Sequence, residues 1–132
     1  MGRSVDELAT FVDRLDRHPR LGICLDSCHW FVSGVDVTDP DALDEAVAGL
    51  DSAIGLDRLR CLHVNDADAP LGSNRDRHDD VGAGLMGEGL GTFLAHPRLQ
   101  GLPALLEVPG PDGHGPDGDQ IAAAKALRER HL

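Results

Sequence analysis

Aromatic residues are scarce in this chain: they make up 3% of its 132 residues, with one Trp and no Tyr. The core must therefore be built from Leu, Val, Ala and Ile, and a hydrophobic content of 41% suffices for one. That content excludes a disordered chain, and the length predicts a single domain over 1–132. No apolar run approaches the roughly 20 residues of a membrane span, and the polar start Met1-Gly2-Arg3-Ser4-Val5-Asp6 lacks the apolar stretch of a secretory signal. A cytoplasmic protein with no membrane partner is expected. Cysteine is limited to Cys24, Cys28 and Cys61, with no C-x-x-C pair, and an odd count without a framework predicts reduced thiols. Cys24 and Cys61 lie inside apolar runs and read as core residues; a metal role for Cys28 is the weaker option. No G-x-G-x-x-G opens a helix and no G-x-x-x-x-G-K-[ST] is present, so nucleotide binding is not supported. A basic excess is missing too. The formal net charge is −11, where a simple phosphate-binding protein is normally basic. Bound cations would account for part of the excess acid, and most of the Asp residues read as solvated surface.

What is present is a regular alternation. Ser4-Val5-Asp6-Glu7 has the form of a capping box, and Leu8, Phe11, Val12 and Leu15 follow at helical spacing, so residues 4–18 read as a helix ended by His18-Pro19. Leu21 to Asp26 is short, apolar and strand-like. Thr38-Asp39-Pro40 opens a second helix whose stripe is Leu43, Val47, Leu50 and Ile54, closed by Gly55. Leu59 to Val64 is the next strand. Residues 65–87 read as a long loop, of the kind that is usually functional or disordered. Its run Val81-Gly82-Ala83-Gly84-Leu85-Met86-Gly87 supplies turn residues. A short helix runs from Glu88 to Ala95, a third strand from Leu102 to Val108, and a last helix from a cap at Asp119 to about Arg130. The order αβαβαβα, with continuous apolar runs in the strands, predicts an α/β fold with three buried parallel strands. That is the rhythm of a (β/α)₈ barrel or a doubly wound sheet.

Carboxylates and imidazoles close all three strands, where a parallel α/β protein collects its chemistry. Asp26-Ser27-Cys28-His29 follows the first, His63-Val64-Asn65-Asp66 the second, and Glu107 the third. Side chains alternate along a strand, so Asp26, His63 and Glu107 are expected to emerge at one end, facing the same way. Two carboxylates so close repel unless a proton or a cation lies between them. His29, Asp76 and His78 form a second set of three, the ligand number of a catalytic zinc with one open position. Arg75 and Arg77 flank Asp76 and can grip a phosphate oxygen. Taken singly these residues have ordinary readings: Asp26 as a cap for a following turn, His63 as a satisfied core histidine. Three successive strand ends make coincidence a poor account. His18, His96, His114 and His131 lack such context and read as surface residues.

The stretches Gly22-Ile23-Cys24-Leu25-Asp26-Ser27-Cys28-His29, His63-Val64-Asn65-Asp66, Gly72-Ser73, Asp76-Arg77-His78 and Leu105-Leu106-Glu107 resemble the endonuclease IV family of apurinic/apyrimidinic endonucleases. The resemblance implies part of a xylose isomerase-like TIM barrel, its C-terminal portion, with about three parallel strands and flanking helices. It implies zinc, up to three ions in the complete family site, with manganese as an alternative. Asp26, His63 and Glu107 look like ligands of one zinc and His29, Asp76 and His78 like those of another, fully liganded one. The third zinc and a bridging glutamate would belong to strands preceding Met1. Asp26 and Glu107 look catalytic, and Ser73, Arg75 and Arg77 look like contacts for DNA phosphate. Two positions depart from the family: Asp68 stands where a basic residue is usual, and Ser27 where Thr is usual.

The implied reaction is hydrolysis of the phosphodiester 5′ to an abasic site in double-stranded DNA, as in base excision repair, and the implied partners are that DNA and either a second copy or a complementing N-terminal half. Two other classes remain open at this point. One is a metal-dependent sugar isomerase or epimerase on the same architecture, although such an enzyme has no obvious need for the arginine-flanked metal loop. The other is a non-catalytic metal-binding remnant.

Overall fold

Ser4 starts the first helix as its spacing predicts. In the computed structural model, which describes residues 3–132, α1 spans Val5–Arg14. Met1 and Gly2, the first residues of the polar start, lie outside the described part. The Ser4 hydroxyl accepts from the Glu7 amide at 3.1 Å, and the Glu7 carboxylate accepts from the Arg3 amide at 2.9 Å. The helix stops short of the expected His18. Asp16 and Arg17 adopt positive φ (54° and 47°), and long-range bonds hold them there. The Arg17 guanidinium donates to the Ile54 carbonyl at 2.9 Å, and Arg58 donates to the carbonyls of Arg17 and His18.

Strand β1 (Ile23–Asp26) runs directly into α2 (Ser27–Val32), a helix absent from the expected elements. It buries Cys28, Trp30, Phe31 and Val32. Asp39 caps α3 (Pro40–Ala53), whose Leu43, Val47 and Leu50 are fully buried as their stripe predicts. Then come β2 (Leu59–His63), β3 (Asp66–Ala67) and β4 (His78–Asp79). The last two pair antiparallel, Ala67 opposite His78, so the long polar segment is an ordered ribbon and not a plain loop. After α4 (Leu90–Ala95), β5 is only Ala104–Leu105. Pro103 lacks an N–H for the ladder and contributes only its carbonyl, which accepts from the Leu62 amide at 2.8 Å. The final helix, α5 (Gly118–His131), is capped by Asp117, not Asp119, and packs on α4. Among the described residues no helix is long and apolar enough to cross a membrane.

The sheet order is β1-β2-β5, all parallel, with Asp26 beside His63 and His63 beside Leu105. It is one-sided, and this corrects the expectation of strands buried on both faces. Ile23, Leu25 and Leu62 are buried in the core with the helices, whereas Cys24, Asp26, Cys61, His63 and Leu105 lie on the opposite, open face. Cys24 is exposed and Cys61 half-buried, so neither is the core residue its apolar run suggested; Cys28 alone is fully buried. His96 is the converse case. Read as surface, it is buried, with Nε2 2.8 Å from Asp44 Oδ1 and Nδ1 accepting from the Arg98 amide at 3.2 Å.

A buried polar lock joins the ends of β1 and β2. The Ser27 hydroxyl donates to the Asn65 carbonyl at 2.7 Å and accepts from the Asn65 amide at 2.9 Å, and both residues are fully buried. Replacing Ser27 by Ala leaves both Asn65 backbone groups without this partner, so Ser27→Ala is expected to destabilise the fold by about 1–3 kcal/mol in urea unfolding. A second expectation follows from the sheet edges. Among the described residues β1 and β5 each pair on one side only, and Leu105 is 49% exposed beside the open face. Unpaired edges with apolar neighbours promote association, so light scattering at micromolar concentration should report dimers or larger species.

Candidate functional site

Asp26 does two jobs. As the cap of α2, its Oδ1 accepts from the His29 amide at 3.0 Å, which sets the helix start and turns His29 toward the strand ends. Its Oδ2 accepts from the Asn65 side-chain amide at 3.0 Å and lies 3.6 Å from His63 Nδ1 and 3.7 Å from His78 Nε2. Burial pushes the Asp26 carboxyl above its ordinary range, against the pull of the His29 N–H; the Asp76 carboxylate adds to the upward shift. Asp26 is thus the cap of a following turn, and its other oxygen faces the cluster at the strand ends.

The other strand ends close on the same point. His63 Nδ1 lies 3.0 Å from Glu107 Oε2. The β3–β4 ribbon swings Asp76 and His78 over them. Asp76 bridges two imidazoles, with Oδ2 3.1 Å from His29 Nδ1 and Oδ1 3.5 Å from His78 Nε2. All six residues Asp26, His29, His63, Asp76, His78 and Glu107 line one cleft of about 330 Å³. The ligand atoms of Asp26, His63 and Glu107 lie within 4.8 Å of one another, as do those of Asp26, Cys28 and His78.

Tautomer assignment tests whether a cation fits. His78 Nδ1 is 3.1 Å from the Glu107 carbonyl, which can only accept, so Nδ1 carries the proton. Nε2 then faces two carboxylate oxygens, those of Asp26 and Asp76, and in the neutral ring it presents a lone pair to them. Three acceptors aimed at one another require a proton or a cation between them. A backbone carbonyl fixing the far nitrogen is also the usual arrangement behind a metal-ligating histidine. The donor set, carboxylates and imidazoles with no exposed thiolate among them, suits zinc or manganese.

Cys28 belongs to the second ligand group by distance, but its thiol is engaged. Its Sγ donates to the Arg77 carbonyl at 3.4 Å, and burial, with the Asp76 and Asp26 carboxylates, pushes the thiol above its ordinary value. It holds the ribbon that carries Asp76 and His78. Arg77 lines an adjoining cleft with Asp68, Asp76, His78, Glu107 and Pro109. Ser73 and Arg75 line neither cleft; the Ser73 hydroxyl accepts from the Arg75 amide at 3.4 Å within their own turn.

Two residues that carry this geometry had no role in the sequence reading. Asn65 uses its side-chain oxygen to accept from the Glu107 amide at 2.8 Å, in addition to its bond to Asp26. Asp66, fully buried, accepts from the amides of Ala67, Met86 and Gly87 and so clamps the end of the glycine run. Gly84 is required by this clamp: a Cβ there would stand 2.5 Å from the Ala67 carbonyl oxygen and 2.6 Å from Asp66 Oδ1. The available signal was two polar residues placed between an apolar strand and a glycine-rich run.

Comparison with known proteins agrees with this architecture. Residues 1–130 match the family described as xylose isomerase-like TIM barrel. A probable endonuclease 4 of Chlorobium limicola is 42% identical over 114 residues, 86% of this chain and 39% of that protein. A probable endonuclease 4 of Thermosipho africanus is 39% identical, covering 92% of this chain and 44% of its own length. The crystal structure of endonuclease IV from Thermus thermophilus superimposes with a TM-score of 0.79 at 34% identity, over 98% of this chain and 45% of that one. The chain thus spans less than half the length of the relatives it matches. It shares with them a parallel sheet, flanking helices and sequence similarity over nearly its whole extent, and it belongs to the xylose isomerase-like TIM barrel family.

Proposed function

We propose that this chain contributes metal-binding and DNA-binding residues to an endonuclease IV-type enzyme, which hydrolyses the phosphodiester 5′ to an abasic site in double-stranded DNA. The observation that carries the reading is the convergence of six ligand-type side chains on one cleft, in a chain whose relatives are endonuclease 4 proteins. Asp26, His63 and Glu107 would hold one zinc, and His29, Asp76 and His78 another, with manganese as the alternative metal. The metals would supply Lewis acidity toward a phosphate oxygen and toward water.

The chain's own groups do the rest. Asn65 and the His29 amide hold the Asp26 carboxylate by its two oxygens, so it keeps its aim while the phosphate arrives. Glu107, whose side chain is 47% exposed at the cleft, is the carboxylate best placed to accept a proton from attacking water. Arg77 stands beside Asp76, His78 and Glu107 and offers a guanidinium to the phosphodiester. Asp68 lines the same cleft and its amide donates to the Arg77 carbonyl at 2.9 Å, so a negative charge sits directly beside the proposed phosphate contact. An abasic nucleotide reaches such a recessed cleft once it leaves the stack. The cytoplasm is the proposed location, and the remaining partner is a second copy or a complementing segment of barrel.

Metal content is the first test. Protein purified without added metal should contain zinc or gain it on zinc addition, by elemental analysis. His78→Ala should lower the bound metal, because His78 touches both Asp26 and Asp76. No zinc before or after addition removes the ligand assignment. Arg77→Ala is the second test. It leaves the Arg77 carbonyl, and hence the bonds from Cys28 and Asp68, in place. Binding to an abasic duplex should weaken, with the salt dependence falling by about one phosphate contact, while metal content stays unchanged. Equal binding of both proteins at matched salt removes the role of Arg77. Cleavage of an abasic duplex, run beside a sugar-isomerisation assay, separates the two enzyme classes.

A further inference from the structure

Two cysteines stand side by side on the open face of the sheet, outside the six-residue set. Cys24 of β1 and Cys61 of β2 are register partners on adjacent parallel strands. They share the face of Asp26 and His63, each two residues earlier in its strand. Cys24 is exposed and lines the cleft with its Sγ 3.8 Å from the Leu25 carbonyl, and Cys61 is half-buried. The third cysteine, Cys28, is fully buried with its thiol bonded to the Arg77 carbonyl.

We propose that Cys24 and Cys61 are a disulfide-forming pair, oxidised by exchange with a low-molecular-weight disulfide. Neighbouring strands lie about 4.7–4.9 Å apart. Partnered Cα atoms at that spacing fall within the window of about 4.4–6.8 Å that a disulfide spans. Both Cβ atoms leave the sheet on the same side, so neither strand must rotate. Exposure makes Cys24 the accessible entry point, while partial burial and the neighbouring Cys61 push its thiol up to about 12 and so slow its attack. Its sulfur attacks one sulfur of the small disulfide, forms a mixed disulfide and releases one small thiol. Cys61 then attacks the Cys24 sulfur and releases the second. The protein loses two protons and two electrons, and the small disulfide takes them up to become two thiols. The product ties β1 to β2 directly below Asp26 and His63 and closes the long chain segment that holds α2 and α3. Such a loop closure removes freedom from the unfolded chain, so the oxidised form unfolds at higher temperature. The inference is independent of the proposed function, since mass and thiol count report it whether or not the chain binds metal.

The experiment uses the full chain, incubated with oxidised glutathione and a chelator and then denatured for thiol titration. The expected result is a fall from three free thiols to one, a mass lower by two hydrogens, and a cross-linked peptide pair containing Cys24 and Cys61. The melting temperature should rise on oxidation and return with dithiothreitol. Cys61→Ser should stop at a glutathione adduct on Cys24, with no internal bridge. Three thiols remaining, a bridge that includes Cys28, a bridge only between chains, or wild-type protein that stops at glutathione adducts would each overturn the proposal. If a serine variant fails to fold, the peptide map of the wild-type chain decides alone.

Discussion

Asn65 follows the end of β2 and hydrogen-bonds to the ends of β1 and β5, and the site depends on it. Its backbone amide and carbonyl take the Ser27 hydroxyl, its side-chain N–H2 meets Asp26, and its side-chain oxygen accepts from the Glu107 amide. Being fully buried, it gains nothing from water in exchange. The amide offers a donor and an acceptor at fixed separation without carrying charge. A carboxylate here would face Asp26 with like charge, and an aliphatic residue would leave the Glu107 amide unpaired. The relative placement of Asp26 and Glu107 is therefore an outcome of hydrogen bonding deep in the sheet, below the cleft they line.

A second layer of constraint comes from the ribbon. Asp76 and His78 belong to a segment with little hydrophobic anchorage of its own, so polar bonds fix it. The Gly72 and Asn74 amides donate to the carbonyls of Phe31 and Val32 at the end of α2, and the Cys28 thiol reaches the Arg77 carbonyl. Helix α2 thus presents His29 with its first turn and holds Asp76 with its last. His29 and Asp76 are far apart in sequence yet rest on this one six-residue helix.

Much of this could be read from the chain itself. Strand ends rich in Asp, His and Glu pointed to one face and one end of a parallel sheet, and all six side chains line the same cleft. The stripe of α3 was legible because apolar residues at helical spacing followed an Asp-Pro start. Helix α2 was hidden, because Asp26-Ser27-Cys28-His29 reads as a chemical cluster and the six residues are too few to show a helical period. The β3–β4 ribbon was hidden for a related reason: two-residue strands have no alternation to detect. Cys24 and Cys61 were misplaced because strands buried on both faces were expected, while this sheet carries helices on one. The burial of His96 depends on Asp44, distant in sequence and close only after folding.

The clamp made by Asp66 has a consequence for how this surface can change. Its carboxylate takes the amides of Ala67, Met86 and Gly87, so the segment between β3 and α4 is closed at its base by a single side chain. A loop pinned at its stem tolerates variation at its tip, since the sheet never senses what the tip contains. Between Pro70 and Arg75 the freedom is one of side-chain charge and not of length, because the Gly72 and Asn74 amides tie that stretch to α2. The clamp works as a socket into which the ribbon carrying Asp76 and His78 is set.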